Sequence, residues 1–469
     1  MRISAAISAE RVLPERLAER LRPMLERLDR TLFAPDGRGQ AGRMSLIAFI
    51  IRVFSAAIAF FSQVLLARWM GSFDYGVFVV VWVSMIIVGN LACLGFHTSV
   101  IRFIPEYREG GRADALRGVL VASRVTALIS ASVVAALGMA GLWLFGGVVE
   151  SYWTVPFYLG LVCLPMIALS DVLEGIARAN GWAVAALAPI YITRPLLILA
   201  FMGGALLSGF PATAEVAVAA AILATYITTI SQLVQVSGRT EARLSSGPSR
   251  LMMRDWVLVS LPIFLVEGFF FLLTNADVLL VGLFLSPHDV AVYFATVKTL
   301  ALVHFVYFAV KAGVAQRYAA FAHTGDGDGL ARFARETVSW TFWPSLAMGL
   351  AVLAAGWPML WLFGPEFTQG YPLLFVLVAA VVMRAAAGPV ESLLTMSGNQ
   401  SVCAAVYGIT LALNIALAVL LLPSIGLWGA AVSTGAAMLF EAGALSWVVW
   451  RRLGIVMPIF LPARPWEKG

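Results

Sequence analysis

Residues 45–103 read SLIAFIIRVFSAAIAFFSQVLLARWMGSFDYGVFVVVWVSMIIVGNLACLGFHTSVIRF, and their pattern returns at a constant offset of 215, the distance from Ser45 to Ser260. Ser45-Leu46 recurs as Ser260-Leu261, Phe49 as Phe264, Leu65 as Leu280, Asp74 as Asp289 and Val77 as Val292. Phe78 meets the equally aromatic Tyr293, and Arg102-Phe103 meets Arg317-Tyr318. Matches that include polar residues and keep one register over almost the whole stretch exceed what apolar composition produces, and they indicate an internal duplication. A second block, Asp171-Val172 to Gly181 against Pro389-Val390 to Asn399, aligns at an offset of 218. That block alone would be weak, because apolar helices resemble one another; the first block carries the argument.

Hydrophobic residues make up 61% of the 469 and charged residues 12%, against roughly 45–50% and 25% in soluble domains. The composition is that of an integral membrane protein. The net charge of +6 sits mostly in short segments between apolar runs, so it bears on membrane orientation and not on nucleic acid. Cys93, Cys163 and Cys403 all fall within apolar runs, which argues against a disulfide framework or a CxxC metal site. No nucleotide, phosphate-loop or metal motif is present, so no cofactor is expected.

From Met44 onward, apolar runs long enough to cross a hydrocarbon core of about 30 Å follow one another. The expected spans are 45–70, 75–97, 115–145, 154–177, 183–208, 213–236, 256–285, 289–316, 337–364, 371–396, 401–422 and 426–450. The expected fold is therefore all-α and polytopic, with twelve transmembrane helices in two six-helix repeats. Residues 44–236 form an N-lobe, 237–255 a linker, 256–452 a C-lobe and 453–469 a tail. Before them, residues 1–43 read as an amphipathic segment: Leu13, Leu17, Leu21, Met24, Leu28 and Leu32 recur at helical spacing, flanked by Arg16, Arg20, Arg27 and Arg30. Such a helix can lie among lipid headgroups or bind a partner, and Pro23 interrupts it.

Arginines concentrate in alternate connections: Arg102, Arg108, Arg112 and Arg117; Arg239, Arg243, Arg250 and Arg254; Arg317, Arg332 and Arg335; and the two ends of the chain. The other turns, near 146–153, 209–212, 286–288, 365–370 and 423–425, carry no Lys or Arg. The positive-inside rule then places both termini in the cytoplasm. With an even number of spans per repeat, the pseudo-twofold axis runs along the membrane normal.

Leu65-Leu66-Ala67-Arg68-Trp69-Met70-Gly71 followed by Asp74-Tyr75-Gly76-Val77-Phe78 resembles the end of the first helix in polysaccharide flippases of the multidrug/oligosaccharidyl-lipid/polysaccharide (MOP) exporter superfamily. Arg102-Phe103-Ile104-Pro105-Glu106-Tyr107, Ser260-Leu261-Pro262 and Asp277-Val278-Leu279-Leu280-Val281-Gly282 resemble further motifs of that family, in order, over residues 44 to 452. Two features depart from the pattern: the N-terminal 43 residues, and Ala291 where the second repeat usually shows glycine. The resemblance implies two six-helix lobes around a central cleft in the bacterial inner membrane. It also implies alternating-access transport of an undecaprenyl-pyrophosphate-linked oligosaccharide, with membrane lipids and other polysaccharide-assembly proteins as partners.

A path for an anionic pyrophosphate needs cations at membrane depth, where an unpaired charge costs about 2.5–3.5 kcal/mol and is a functional candidate by default. Arg52, Arg194, Lys298 and Arg384 are the candidate substrate-binding residues, and Glu267 and Asp277 the candidate ion-coupling residues. Arg52 and Glu267 are repeat equivalents and are expected to face each other. For Arg194, which precedes Pro195, bonding to carbonyls freed by the proline is an equal alternative; for Arg384 the alternative is a buried interhelical pair. Lys311 reads as snorkelling to headgroups, Glu391 and Asp171 as partners of nearby arginines, and His304 as a structural hydrogen-bonder.

An enzyme of glycan polymerisation or ligation would need a sizeable external loop with catalytic residues, and every such connection here is short. A small-molecule antiporter of the same superfamily is the nearer alternative, and it should show an acidic cavity in the first lobe.

Overall fold

The computed structural model describes residues 37–147, 150–244, 247–324 and 327–460, with side chains from Phe54 onward except at 312, 316, 319 and 322–324. Of the amphipathic segment expected over 1–43, residues 1–36 lie outside the described residues and 37–43 open the first helix; the tail beyond 460 also lies outside them.

The described chain is helical throughout. The helices are α1 (Gly37–Ala92), α2 (Phe96–Glu109), α3 (Ala113–Phe145), α4 (Ser151–Ala179), α5 (Ala183–Leu207) and α6 (Ala214–Glu241) in the first half. The second half has α7 (Met253–Leu273), α8 (Ala276–Phe284), α9 (Pro287–Thr324), α10 (Gly327–Phe363), α11 (Tyr371–Ala385), α12 (Val390–Met396), α13 (Gln400–Ile425) and α14 (Leu427–Leu453). Helices are what a lipid-embedded chain must form, since they satisfy every backbone group within one segment. Among the described residues, eleven stretches are long and apolar enough to cross a membrane. The first, Phe54–Ala92, has 39 residues, about 58 Å at 1.5 Å per residue, and it breaks at Gly71, whose φ of 74° and ψ of 171° leave the helical region. The expected count of twelve treats this helix as two spans.

Several boundaries differ from expectation for identifiable reasons. The connection expected after residue 97 is helical: Leu94 (φ 48°) and Gly95 (φ 80°) bend the chain, and α2 then continues to Glu109. The bend frees the Ala92 carbonyl, to which the Ser130 hydroxyl donates, and the Cys93 thiol beside it donates to the Ala168 carbonyl of α4 at 3.3 Å. The seventh span is interrupted at Thr274-Asn275 and the tenth at Ala386–Pro389, where proline cannot continue the helix. The arginine-rich connection expected at 317–336 is largely helix, because α9 runs on to Thr324.

Repeat-equivalent positions share burial but not always their bonds. Val77 and Val292, Phe78 and Tyr293, and Phe103 and Tyr318 are all buried. Asp74, however, reaches across to accept a hydrogen bond from the backbone N–H of Ala214 at 2.9 Å, opening α6. Asp289 instead caps its own helix. Its carboxylate accepts from the Ser286 N–H at 3.2 Å and from the Ser286 hydroxyl at 2.6 Å, while its N–H donates to Ser286 Oγ, a reciprocal capping box.

Candidate functional site between the two halves

The halves meet tightly at one end of the bundle. Arg68 of α1 donates from Nε to the carbonyl of Leu362 and from Nη2 to that of Trp361, both at 2.7 Å, with its guanidinium 5.1 Å from the Trp361 ring centroid. These acceptors are end carbonyls of α10, which lack helical partners and favour a cation. Nearby, Ser72 Oγ and His288 Nδ1 are 2.8 Å apart, and Tyr75 packs its ring against Phe294 and Phe367. A Cβ added to Gly76 would lie 1.8 Å from the Pro287 carbonyl oxygen, so the approach of α1 to the start of α9 requires glycine there. The equivalent residue in the second half, Ala291, is buried with its methyl group in place. This accounts for the departure at that position: the close backbone approach exists on one side only.

Toward the other end the halves separate around a cavity of about 640 Å³. Asn90 and Arg178 of the first half line it, as do Glu267, Phe270, Phe308, Lys311, Glu391 and Tyr407 of the second. Asn90 is 19 residues along α1 from the Gly71 break, about 28 Å, so closed end and cavity are separated by most of a membrane thickness.

Two polar groups dominate the lining. Glu267, half exposed, accepts a hydrogen bond from the Thr98 hydroxyl at 2.8 Å and lies 3.6 Å from His97 Nε2. Thr98 and His97 reach it because the bend at Leu94-Gly95 turns α2 toward α7. Opposite them, Glu391 pairs with Lys311 and accepts a hydrogen bond from Tyr407. Glu391 stands in the first turn of α12, just after the Gly388-Pro389 break, where exposed N–H groups favour a carboxylate. Lys311 is 34% exposed and Glu391 only 4%, so the cation of this pair is the member offered to the cavity.

The residues singled out from the sequence fall into three groups. Glu267 is in the cavity. Lys298 is exposed on α9, 4.7 Å from the Phe294 ring, on the helix whose Phe308 and Lys311 line the cavity. Arg194, Asp277 and Arg384 lie inside their own halves. Arg194 is buried and donates to Ser170 Oγ at 2.9 Å, Ser170 donates to Gln232 Oε1 at 3.2 Å, and Gln232 donates to the Ala185 carbonyl. The carboxylate of Asp277 accepts from Tyr293 and from the Val278 N–H, both at 2.9 Å, and the Tyr293 hydroxyl is 3.2 Å from Thr434. Arg384 pairs with Glu441 at 2.6 Å and lies over the Tyr307 ring. Arg52 lies on α1, and its side chain, with the expected Arg52–Glu267 pairing, lies outside those described. Asp171 pairs with the amide of Asn90 at 3.4 Å.

Sequence reasoning passed over Asn90, Tyr407 and Glu441. Glu441 carried a usable signal: it is an acid within the last apolar span, and Arg384 was an intramembrane cation needing a counter-charge. Lys311 and Glu391 read from the sequence as separate end-of-helix groups, since nothing in their spacing shows that α9 and α12 touch.

A search of solved structures shows what fold this is. An inward-facing multidrug resistance MATE family transporter of the MOP superfamily superposes with a TM-score of 0.69 at 14% identity, covering 87% of this chain and 98% of that one. The lipid II flippase MurJ in an inward closed conformation gives 0.66 at 14% identity, covering 86% and 87%. An outward-facing MATE transporter gives 0.58 at 15% identity, covering 87% and 94%. No curated protein sequence matches the chain. The chain has the fold of MOP superfamily transporters and is a multi-pass membrane protein. The family model described as "Polysaccharide biosynthesis protein" matches residues 42–315, more than half of the sequence, and the chain belongs to that family.

Proposed function

We propose that this transporter flips an undecaprenyl-pyrophosphate-linked oligosaccharide across the bacterial inner membrane by alternating access, with both termini cytoplasmic. The observation that carries the reading is the cavity between the halves. It is lined by Arg178 and Lys311 at the arginine-rich end of the bundle and shut at the other end by Arg68, Ser72 and His288. Residues 44–236 and 256–452 are the two moving bodies, related by the 215-residue register. Arg178 and Lys311, with Lys298 further along α9, receive the pyrophosphate while the polyprenyl chain stays in lipid. Arg52, which shares a repeat position with Glu267, is assigned to the same path by register alone. Glu267 and Glu391 balance the two lining cations, so an entering diphosphate makes the cavity net negative unless a proton or cation enters with it. When the diphosphate takes Lys311 from Glu391, uptake of a proton by the freed carboxylate offsets one of the entering charges.

The two carboxylates in the lining carry a second reading, a cation-coupled small-molecule antiporter, although both belong to the second half. The first half contributes Asn90 and Arg178 in place of the acidic first-lobe cavity such an antiporter should show. The two readings are separated in proteoliposomes offered either a fluorescent lipid-linked oligosaccharide diphosphate or a cationic dye. The flippase reading expects only the first to move, and Lys311→Gln to slow it about tenfold, as loss of one charge-assisted hydrogen bond implies. Movement of the dye alone would discard it.

A further inference from the structure

A second, smaller cavity of about 200 Å³ lies at the arginine-rich end of the first half, away from the space between the halves. Ile104, Leu116, Leu120 and Leu244 give it an apolar wall, and Arg108 and Arg243 line it. Arg108 spends one of its donors on Asn180 Oδ1 at 2.5 Å, and a guanidinium has five. Arg243 lies over the Trp182 ring, 5.1 Å from its centroid, a cation–π contact that uses none of its N–H donors and leaves them for an oxyanion. One turn below Leu120 on α3, Arg124 reaches across to Ser237 of α6 at 3.1 Å. Its Nε is buried with no partner. Arg124 lies behind the cavity lining, so two guanidinium groups face the cavity, and no carboxylate is among its described lining residues.

We propose that this pocket binds the phosphate of an anionic phospholipid, with the first part of an acyl chain against the apolar wall. Two guanidinium groups lining an apolar cavity between helix ends match a phosphate joined to a hydrocarbon tail. A free anion has no use for the leucines, and a neutral lipid has none for the arginines. The site is independent of the transported substrate, so its test does not depend on transport.

The test is native mass spectrometry of the full chain titrated with phosphatidylglycerol, with phosphatidylcholine and inorganic phosphate as parallel probes. The proposal expects retained phosphatidylglycerol on the wild type and little of the other two. Binding by the Arg108→Gln/Arg243→Gln double variant should fall about thirtyfold, roughly fivefold per charge removed at a membrane surface. Arg239→Gln, which removes a charge beside the same Trp182 but outside the cavity lining, should change it by less than the double variant does. Arg108→Lys/Arg243→Lys, which keeps charge and monodentate contact, should recover part of the loss if the double variant is folded. Equal retention of phosphatidylcholine, phosphate binding as tight as lipid binding, or an Arg239→Gln loss equal to that of the double variant would each overturn it.

Discussion

The two halves of the chain share a register and use it differently. In the first half, the hydrogen bonds of polar side chains inside the bundle are made mainly with neutral partners: by Arg194 with Ser170, by Asp171 with Asn90, and by Gln232 with a backbone carbonyl. In the second half Asp277 is likewise held by a tyrosine hydroxyl, but two opposite-charge pairs are made directly, Arg384 with Glu441 and Lys311 with Glu391. The helix breaks also differ. The first half bends at Leu94-Gly95, where its equivalent on α9 is continuous, and the second half breaks at Thr274-Asn275 and Ala386–Pro389. A duplicated frame thus supplies one half braced by hydrogen bonds and another that carries ion pairs beside interrupted helices. The difference teaches that equivalent positions set the frame, while the charge chemistry around the cavity belongs mostly to the second half.

The largest expected effect tests that contrast directly. Arg384→Ala leaves Glu441 buried without its cation and should cost about 3–5 kcal/mol of stability, whereas replacing both residues with apolar ones of similar size should recover most of it. Thermal unfolding in detergent checks this; equal losses for the single and double variants would break the comparison. Next in size is the glycine asymmetry. Gly76→Ala forces the Pro287 backbone away and should cost about 1–3 kcal/mol, as overpacking does, while Ala291→Gly should cost about 1 kcal/mol, the helix-propensity difference. A reversed order in the same assay would show that the contact of α1 with α9 is not tight. The smallest effect is expected at Arg194→Met, which removes a charge held by a neutral hydroxyl and should cost about 1 kcal/mol. A loss as large as that of Arg384→Ala would mean that the first half also depends on charge pairing.

Much of this fold was legible in the sequence. The fifth span expected at 183–208 matches Ala183–Leu207, and the sixth begins within a residue of Ala214, because long apolar runs in lipid leave the backbone no alternative to helix. The extension of α9 to Thr324 and the helix α2 were not legible, since helices leaving the membrane lose the hydropathy signal. Glu267 could be found as a lone acid in an apolar span. The Lys311–Glu391–Tyr407 group could not, because it is assembled from three helices whose contact depends on packing. Arg384 stood out for the same reason as Glu267, but only its partner Glu441 shows that its charge is used within the second half.

The central claim is that the halves separate at the Arg68 end when the substrate crosses. Ser72→Cys/His288→Cys places two thiols where the wild-type side chains are 2.8 Å apart, and the three native cysteines are buried. Flipping of a lipid-linked oligosaccharide diphosphate is then measured in proteoliposomes before oxidation, after disulfide formation, and after reduction. The account predicts that the oxidised protein loses flipping and that reduction restores it. Flipping by the fully cross-linked protein at the uncross-linked rate would contradict it.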